Sequence, residues 1–243
     1  MNLLIDIGNS RTKAAVYEAG RCLATAECER PDGAWFDGLL ARYAVQRAIL
    51  SSTRGAADEV WQLLAARVPQ AVRFTPATRV PIAIDYATPE TLGRDRVAAA
   101  VGATVLYPGR DVLIVDFGTA LTIDWVTADG TFRGGTISPG LTCRFSALHD
   151  YTASLPLCEP TESEVWPPRS TREAIEQGVM QSVACEIEGR MARLRAKNDD
   201  FCVIFTGGEA KYFAKRIKNT IFAEPNLVFC GLNRILEYHA TTD

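Results

Sequence analysis

The chain has 243 residues, 47% hydrophobic and 23% charged, with 26 Lys and Arg against 29 Asp and Glu and a net charge of −3. Such a chain buries roughly 70–75% of its unfolded surface as a globular protein, and its mild acidity without a basic run excludes the electrostatic footprint of a nucleic-acid binder. No apolar stretch approaches the ~20 residues of a membrane span, a charge at Asp6 argues against a signal peptide, and seven cysteines without a Cys-x-x-Cys pair read as free thiols of a reducing cytoplasm.

Strand and helix alternate along the chain. Leu3–Ile5 predicts a short apolar strand ending at Asp6-Ile7-Gly8-Asn9-Ser10; strands at Thr12–Tyr17 and Cys22–Ala26 follow, joined by the turn Glu18-Ala19-Gly20-Arg21. A helix is expected near Trp35–Val45, a strand at Ala48–Leu50, a helix near Asp58–Arg67 and a strand around Val72–Phe74. Pro76, Pro81 and Pro89 then punctuate a loop that ends at Gly93. Beyond it Val97, Val101 and Val105 recur at i, i+4, i+8 and predict an amphipathic helix.

After Pro108-Gly109-Arg110 the opening pattern returns. Val112–Val115 ends in Asp116-Phe117-Gly118-Thr119-Ala120, and Leu121–Val126 turns at Ala128-Asp129-Gly130 into Thr131–Ile137. One long helix, marked by Ile175, Val179, Val183, Ile187, Met191 and Leu194, starts after Ser170-Thr171. A third apolar strand, Cys202–Phe205, ends in Thr206-Gly207-Gly208, ahead of an expected helix. The near-repeat predicts an α/β protein of two related halves, 1–110 and 111–243, meeting at a cleft.

A strand that delivers Asp-x-Gly and small hydroxyls into a hairpin has a chemical use. Its glycine admits close backbone approach, and consecutive N–H groups cradle phosphate oxygens. The aspartate repels phosphate but can hold a cation that binds it, and Lys13 adds positive charge. As plain structure, the same residues would be a turn with a strand-end cap; the second copy at Asp116 and the third glycine turn favour the functional reading. The run Gly134-Gly135-Thr136-Ile137-Ser138-Pro139-Gly140-Leu141 joins the second hairpin to a helical stretch, either as a tight connection or as a ligand seat before a helix N-terminus. Gly93-Arg94-Asp95-Arg96 opens a helix, and two readings stay open there. Asp95 favours the helix dipole, or it accepts a proton from a hydroxyl while Arg96 clamps a carboxylate. The usual phosphate-loop, dinucleotide, nucleophile-elbow and protein-kinase motifs are missing, and two lone histidines, His149 and His239, make no His-rich metal site.

On these residues the sequence resembles the type III pantothenate kinases of the acetate/sugar kinase–Hsp70–actin superfamily, over almost the whole chain. Asp6-Ile7-Gly8-Asn9-Ser10-Arg11-Thr12-Lys13 is similar to the family's first phosphate motif and Asp116-Phe117-Gly118-Thr119-Ala120 to its second. Leu92-Gly93-Arg94-Asp95-Arg96 resembles the pantothenate-site motif, Gly134–Gly140 the following glycine-rich segment, and Thr206-Gly207-Gly208 the adenosine-side turn. The resemblance implies two ribonuclease-H-like (actin-like ATPase) halves, each a mixed sheet with flanking helices, and ATP-dependent phosphorylation of pantothenate towards coenzyme A. It also implies that Asp95 accepts the proton of the attacking hydroxyl, and that Tyr86, Gly93, Arg94 and Arg96 shape the substrate site. Thr171 would reach that site from the neighbouring subunit of a homodimer. Residues 6–13 and Thr119 would contact ATP, Asp6 would stand near Mg2+, and Asp116 would bind a monovalent cation, K+ or NH4+. Ser10 stands where the family more often has threonine, and Arg11 is a bulkier neighbour in the turn. Other readings are a superfamily kinase for another hydroxylated substrate, a polyphosphate-type phosphatase and a nucleotide-binding regulator; Asp95-Arg96 speaks against the phosphatase, and the presence of Asp6, Asp95 and Asp116 against the regulator.

Overall fold

A computed structural model describes residues 1–53, 57–198, 200–217 and 221–242. The elements, in chain order, are β1 (Asn2–Ile7), β2 (Thr12–Glu18), β3 (Arg21–Cys28), α1 (Gly33–Arg42), β4 (Arg47–Ser52), α2 (Asp58–Ala65), β5 (Gln70–Arg73), β6 (Ala83–Ile84), α3 (Arg94–Leu106), β7 (Asp111–Phe117), β8 (Ala120–Thr127), β9 (Thr131–Pro139), α4 (Leu141–Asp150), α5 (Thr171–Arg195), β10 (Phe201–Thr206), β11 (Ile221–Ala223) and α6 (Leu227–Thr242). They form two compact units, one of residues 1–108, 129–133 and 226–243, the other of 109–128 and 134–225.

The first unit is built on a mixed sheet of order β3-β2-β1-β4-β5. β1 pairs antiparallel with β2 and parallel with β4, as β4 does with β5. Leu3, Leu4 and Ile5 are fully buried, the continuous apolar run of a central strand covered on both faces. The second sheet, of order β6-β9-β8-β7-β10-β11, repeats that order in its last five strands, with β7 antiparallel to β8 and parallel to β10. Equivalent strands thus place Asp6 opposite Lys13 and Ser51, and Asp116 opposite Thr122 and Thr206. Thr131 and Phe132, at the start of β9, belong to the first unit, where they pair with β6. Phe117 packs edge to face on Phe205 and stacks on Phe213 in the core of the second unit, with centroids 5.0 Å apart in both pairs.

Helix boundaries follow local chemistry. Asp32 caps α1 by accepting from Trp35 N at 2.8 Å, and Ser170 and Glu173 form a capping box at the start of α5. Three expectations change. The α3 helix is buried all along Val97–Ala103 rather than on one stripe, and Val105 is 44% exposed, because α6 covers its second face. The two helices touch backbone to backbone: a side-chain carbon at Gly231 would collide with the Ala98 carbonyl, and one at Gly102 with that of Leu227. The pair Gly134-Gly135 lies inside β9 instead of in a connection, and Thr206-Gly207-Gly208 leads only into a single 3-10 turn, Ala210–Tyr212. All seven cysteines are thiols, and no described helix is long and apolar enough to cross a membrane.

Candidate functional site

In the first unit the candidates gather around the carboxyl end of β1 and the start of α3. Asp6 is the penultimate residue of β1, and its Oδ1 is buried without a hydrogen-bond partner. Burial first, and then the nearby charge of Asp95, raise its pKa from 3.8 to about 6; the Ser51 hydroxyl and the Lys13 ammonium offset part of this. Ser51 Oγ is itself buried and makes no bond of full hydrogen-bond geometry, so it acts on Asp6 by proximity. A carboxylate with one oxygen buried, beside a second carboxylate, is an arrangement that a cation would relieve.

The hairpin after Asp6 is a short, tied turn. Gly8 N–H donates to Arg11 O at 3.0 Å, and the Ile7 carbonyl accepts from Thr53 N–H at 3.0 Å and Thr53 Oγ1 at 3.1 Å. Asn9 and Ser10 are exposed at its tip, Thr12 is buried, and Lys13 is exposed beside Asp6. Arg11 turns away to pair with Glu27 on β3 at 2.6 Å.

Gly93 caps α3 at its N-terminus, and Asp95 Oδ1 accepts from Arg96 N–H at 2.8 Å, folding the carboxylate over the first turn. The two arginines that flank Asp95 have different surroundings. Arg94 donates through Nε to Leu92 O at 3.0 Å and through Nη2 to Pro89 O at 2.9 Å, and lies 5.6 Å from the Phe74 ring, so it staples the loop before α3. Burial lowers its pKa against the opposing pull of Asp95. Arg96 instead sits 5.9 Å from the ring centre of Tyr86 and 5.6 Å from that of Phe132. Tyr86 and Arg96 are therefore brought together. Ser51 and Phe132 join these groups without having been singled out in the sequence. Ser51 directly follows an apolar strand, which was a usable signal; Phe132 comes from a distant hairpin and had none. A cavity of about 350 Å³ opens beside Gly93, lined by Thr53, Phe74, Thr91 and Leu92 among others.

In the second unit three glycine-bearing segments meet at one turn. Asp116 is the penultimate residue of β7, and Gly118 N–H donates to Ala120 O at 3.2 Å to close the turn that carries Thr119. Gly140 N–H donates to Thr119 O at 3.0 Å, and a side-chain carbon at Gly140 would collide with Gly118 O. The Gly207 backbone approaches from β10, so that a carbon added there would lie 2.6 Å from Asp116 Oδ1. Glu209 follows and accepts from Thr142 Oγ1 at 3.3 Å. Burial raises its pKa, offset by that hydroxyl and by Leu141 N–H at the start of α4. Thr171 is the exposed first residue of α5 and takes no part in this turn.

A replacement of Asp6 should change stability in a pH-dependent way. Its folded pKa lies above the unfolded value, so between about pH 4 and 6 the folded state binds more protons and stability falls as pH rises, levelling above about 6. The shift corresponds to about 3 kcal/mol lost at neutral pH. Asp6→Asn is expected to melt higher than the parent at pH 7.5 and no higher at pH 4. Parallel melting curves at the two pH values would contradict the buried setting of Asp6.

Two sheets of the same strand order, each with an Asp-x-Gly hairpin, define the two-half α/β fold of actin-like ATPases and their sugar-kinase relatives. A solved structure from Sinorhizobium meliloti, described as a 2-dehydro-3-deoxygalactonokinase, shares this fold at a TM-score of 0.59 and 12% identity, over 100% of this chain and 99% of that one. A Campylobacter jejuni structure described as a conserved Baf family transcriptional activator is similar at a TM-score of 0.63 and 21% identity, over 98% and 99%. The family model for type III pantothenate kinase matches residues 2–193. The type III pantothenate kinase of Porphyromonas gingivalis is 39% identical over 98% of both chains. The chain belongs to the type III pantothenate kinase family, a family of phosphotransferases.

Proposed function

We propose that the chain transfers the γ-phosphoryl group of ATP to the 4′-hydroxyl of pantothenate, the first step towards coenzyme A. Family membership supports the substrate pair, and the observation that carries the chemistry is the buried, unpartnered Oδ1 of Asp6 beside Asp95. Phosphoryl transfer is mostly positioning and charge neutralisation. Gly8 N–H and Gly118 N–H close their turns, and each turn leaves exposed tip residues, Asn9 and Ser10 in the one and Thr119 in the other, of the kind that contacts phosphate oxygens. Asp95 orients the attacking hydroxyl and takes its proton late, as the bond to phosphorus forms. Arg96 with Tyr86, and Gly93, shape the pantothenate site, with Arg94 holding the loop that borders it.

The residues present fit a divalent ion. Asp6 Oδ1 lacks a partner, and no group of three or more acidic, His or Cys ligands closes a cage among the described residues, so phosphate oxygens and water would complete the shell. Mg2+ there would neutralise the phosphate charge as transfer proceeds. A monovalent cation fits Asp116, whose paired positions on both neighbouring strands are threonines, Thr122 and Thr206. A homodimer in which Thr171 of one subunit completes the site of the other belongs to the same reading.

The test is ATP-dependent conversion of pantothenate with Mg2+, read by mass spectrometry of the product in potassium and in sodium buffer. Phosphopantothenate in potassium that fades in sodium is expected. Equal product in both would remove the cation from Asp116, and no product from folded protein in either would remove the substrate assignment.

A further inference from the structure

The glycine-rich segment against the Thr119 turn is itself gripped by a side-chain cluster that the reading above leaves unused. Arg144, on the first turns of α4, reaches back along its own helix and spends its guanidinium on four oxygens. Nε donates to Pro139 O at 2.7 Å, Nη1 to Ser182 Oγ at 3.1 Å, and Nη2 to Ser138 Oγ at 3.1 Å and Glu186 Oε2 at 2.6 Å. Ser138 Oγ in turn donates to Glu186 Oε1 at 2.7 Å, so both carboxylate oxygens of Glu186 are engaged. The Arg144 and Glu186 side chains are only 18% and 28% exposed. Charge-assisted contacts in such a setting are shorter and stronger than neutral ones.

The cluster has a direction. It fastens Ser138 and Pro139, the last residues of β9, to α5, and the next residue is Gly140. Gly140 N–H holds the Thr119 carbonyl, and its backbone packs on Gly118 with no room for a side chain. The conformation of the Gly118–Thr119 turn is therefore set by where Pro139–Gly140 sits, and that is set by Arg144 and Glu186. Glu209 holds the other side, at the start of α4. We propose that Arg144 and Glu186 are positioning residues for nucleotide binding: they lock the Ser138–Gly140 segment so that the turn carrying Thr119 keeps its conformation for the phosphates of ATP. This rests on the reading of that turn as a phosphate site.

The experiment measures ATP-Mg2+ binding by calorimetry and, separately, KM for ATP and for pantothenate, in the wild type, Arg144→Met, Glu186→Ala, the double variant and Ser138→Ala. The expected result is a tenfold or greater loss of ATP affinity and rise in KM for ATP in either larger variant, with KM for pantothenate changed less than twofold. The double variant should be no worse than the poorer single, because the two groups act as one unit. Ser138→Ala removes a single link and should give a smaller shift in the same direction; it keeps the test valid if a larger variant fails to fold. A folded Arg144→Met that binds ATP like the wild type overturns the proposal. So does a parallel rise in both KM values, the signature of a merely structural role. Wild-type protein that binds no ATP would remove the phosphate-site reading and this one together, whereas binding unchanged across the variants removes only this one.

Discussion

Asp95→Asn is expected to lower kcat by about 10²–10⁴-fold, the range for removing a positioned proton acceptor, with little change in melting temperature. The fold should survive because the asparagine carbonyl can still accept from Arg96 N–H, the bond Asp95 Oδ1 makes at 2.8 Å. What disappears is the charge. Its favourable interaction with the α3 N-terminus is worth about 0.3–1 kcal/mol, and its repulsion of Asp6 works in the opposite sense. Binding of ATP and pantothenate should persist, since neither cradle depends on that charge. A second readout comes from the same variant: without the neighbouring negative charge the Asp6 carboxyl should titrate below about 6. Near-normal turnover would remove Asp95 from the reaction, and an unmoved Asp6 titration would separate the two carboxylates.

The largest effect on stability is expected far from the chemistry, at Gly231. A methyl group there would meet the Ala98 carbonyl and lie 2.9 Å from Gly102 N, so both obstacles are backbone and neither can rotate away. Overpacking of this kind costs about 1–3 kcal/mol and more where the surroundings cannot yield, a large part of the total of about 5–15 kcal/mol. Gly231→Ala should therefore melt many degrees lower. It should also lose activity beyond what unfolding explains, because pushing α6 off α3 moves the helix whose first turn carries Asp95 and Arg96. Gly38→Ala is the matched control. That glycine lies on the exposed face of α1 with nothing near the added carbon, so the same change should stabilise by about 0.5–1 kcal/mol. Equal melting temperatures for the two variants would contradict the close α3–α6 contact.

Much of the site was legible because its signals are short-range. A strand, an aspartate, a glycine and a small polar residue within a few positions suffice to describe one hairpin, and the repeat at Asp116 announced the second. The two sheets share one strand order for the same reason: each unit repeats the same succession of strand, hairpin and crossover. The apolar run Leu3–Ile5 and the Ser170–Glu173 box are equally local. Helix α6 was not anticipated although Leu232, Ile235 and Leu236 stand at helical spacing, and the burial of α3 left no local trace. Alanines along Val97–Ala103 fit a half-exposed helix as well as a buried one, and only contact with α6 distinguishes them.

Local sequence thus specifies which residue types stand at each turn, since turn chemistry, capping and apolar periodicity act over a few residues. It could not specify what each charged group would touch. Arg94 and Arg96 are the same side chain two positions apart, yet one is spent on the carbonyls of Pro89 and Leu92 and the other faces Tyr86 and Phe132. The unpartnered carboxylate oxygen of Asp6, its raised pKa and the grip of Arg144 and Glu186 on Ser138 likewise arise from strands and helices distant in the chain. Desolvation and charge proximity depend on neighbours in space, and those neighbours exist only once the chain has packed.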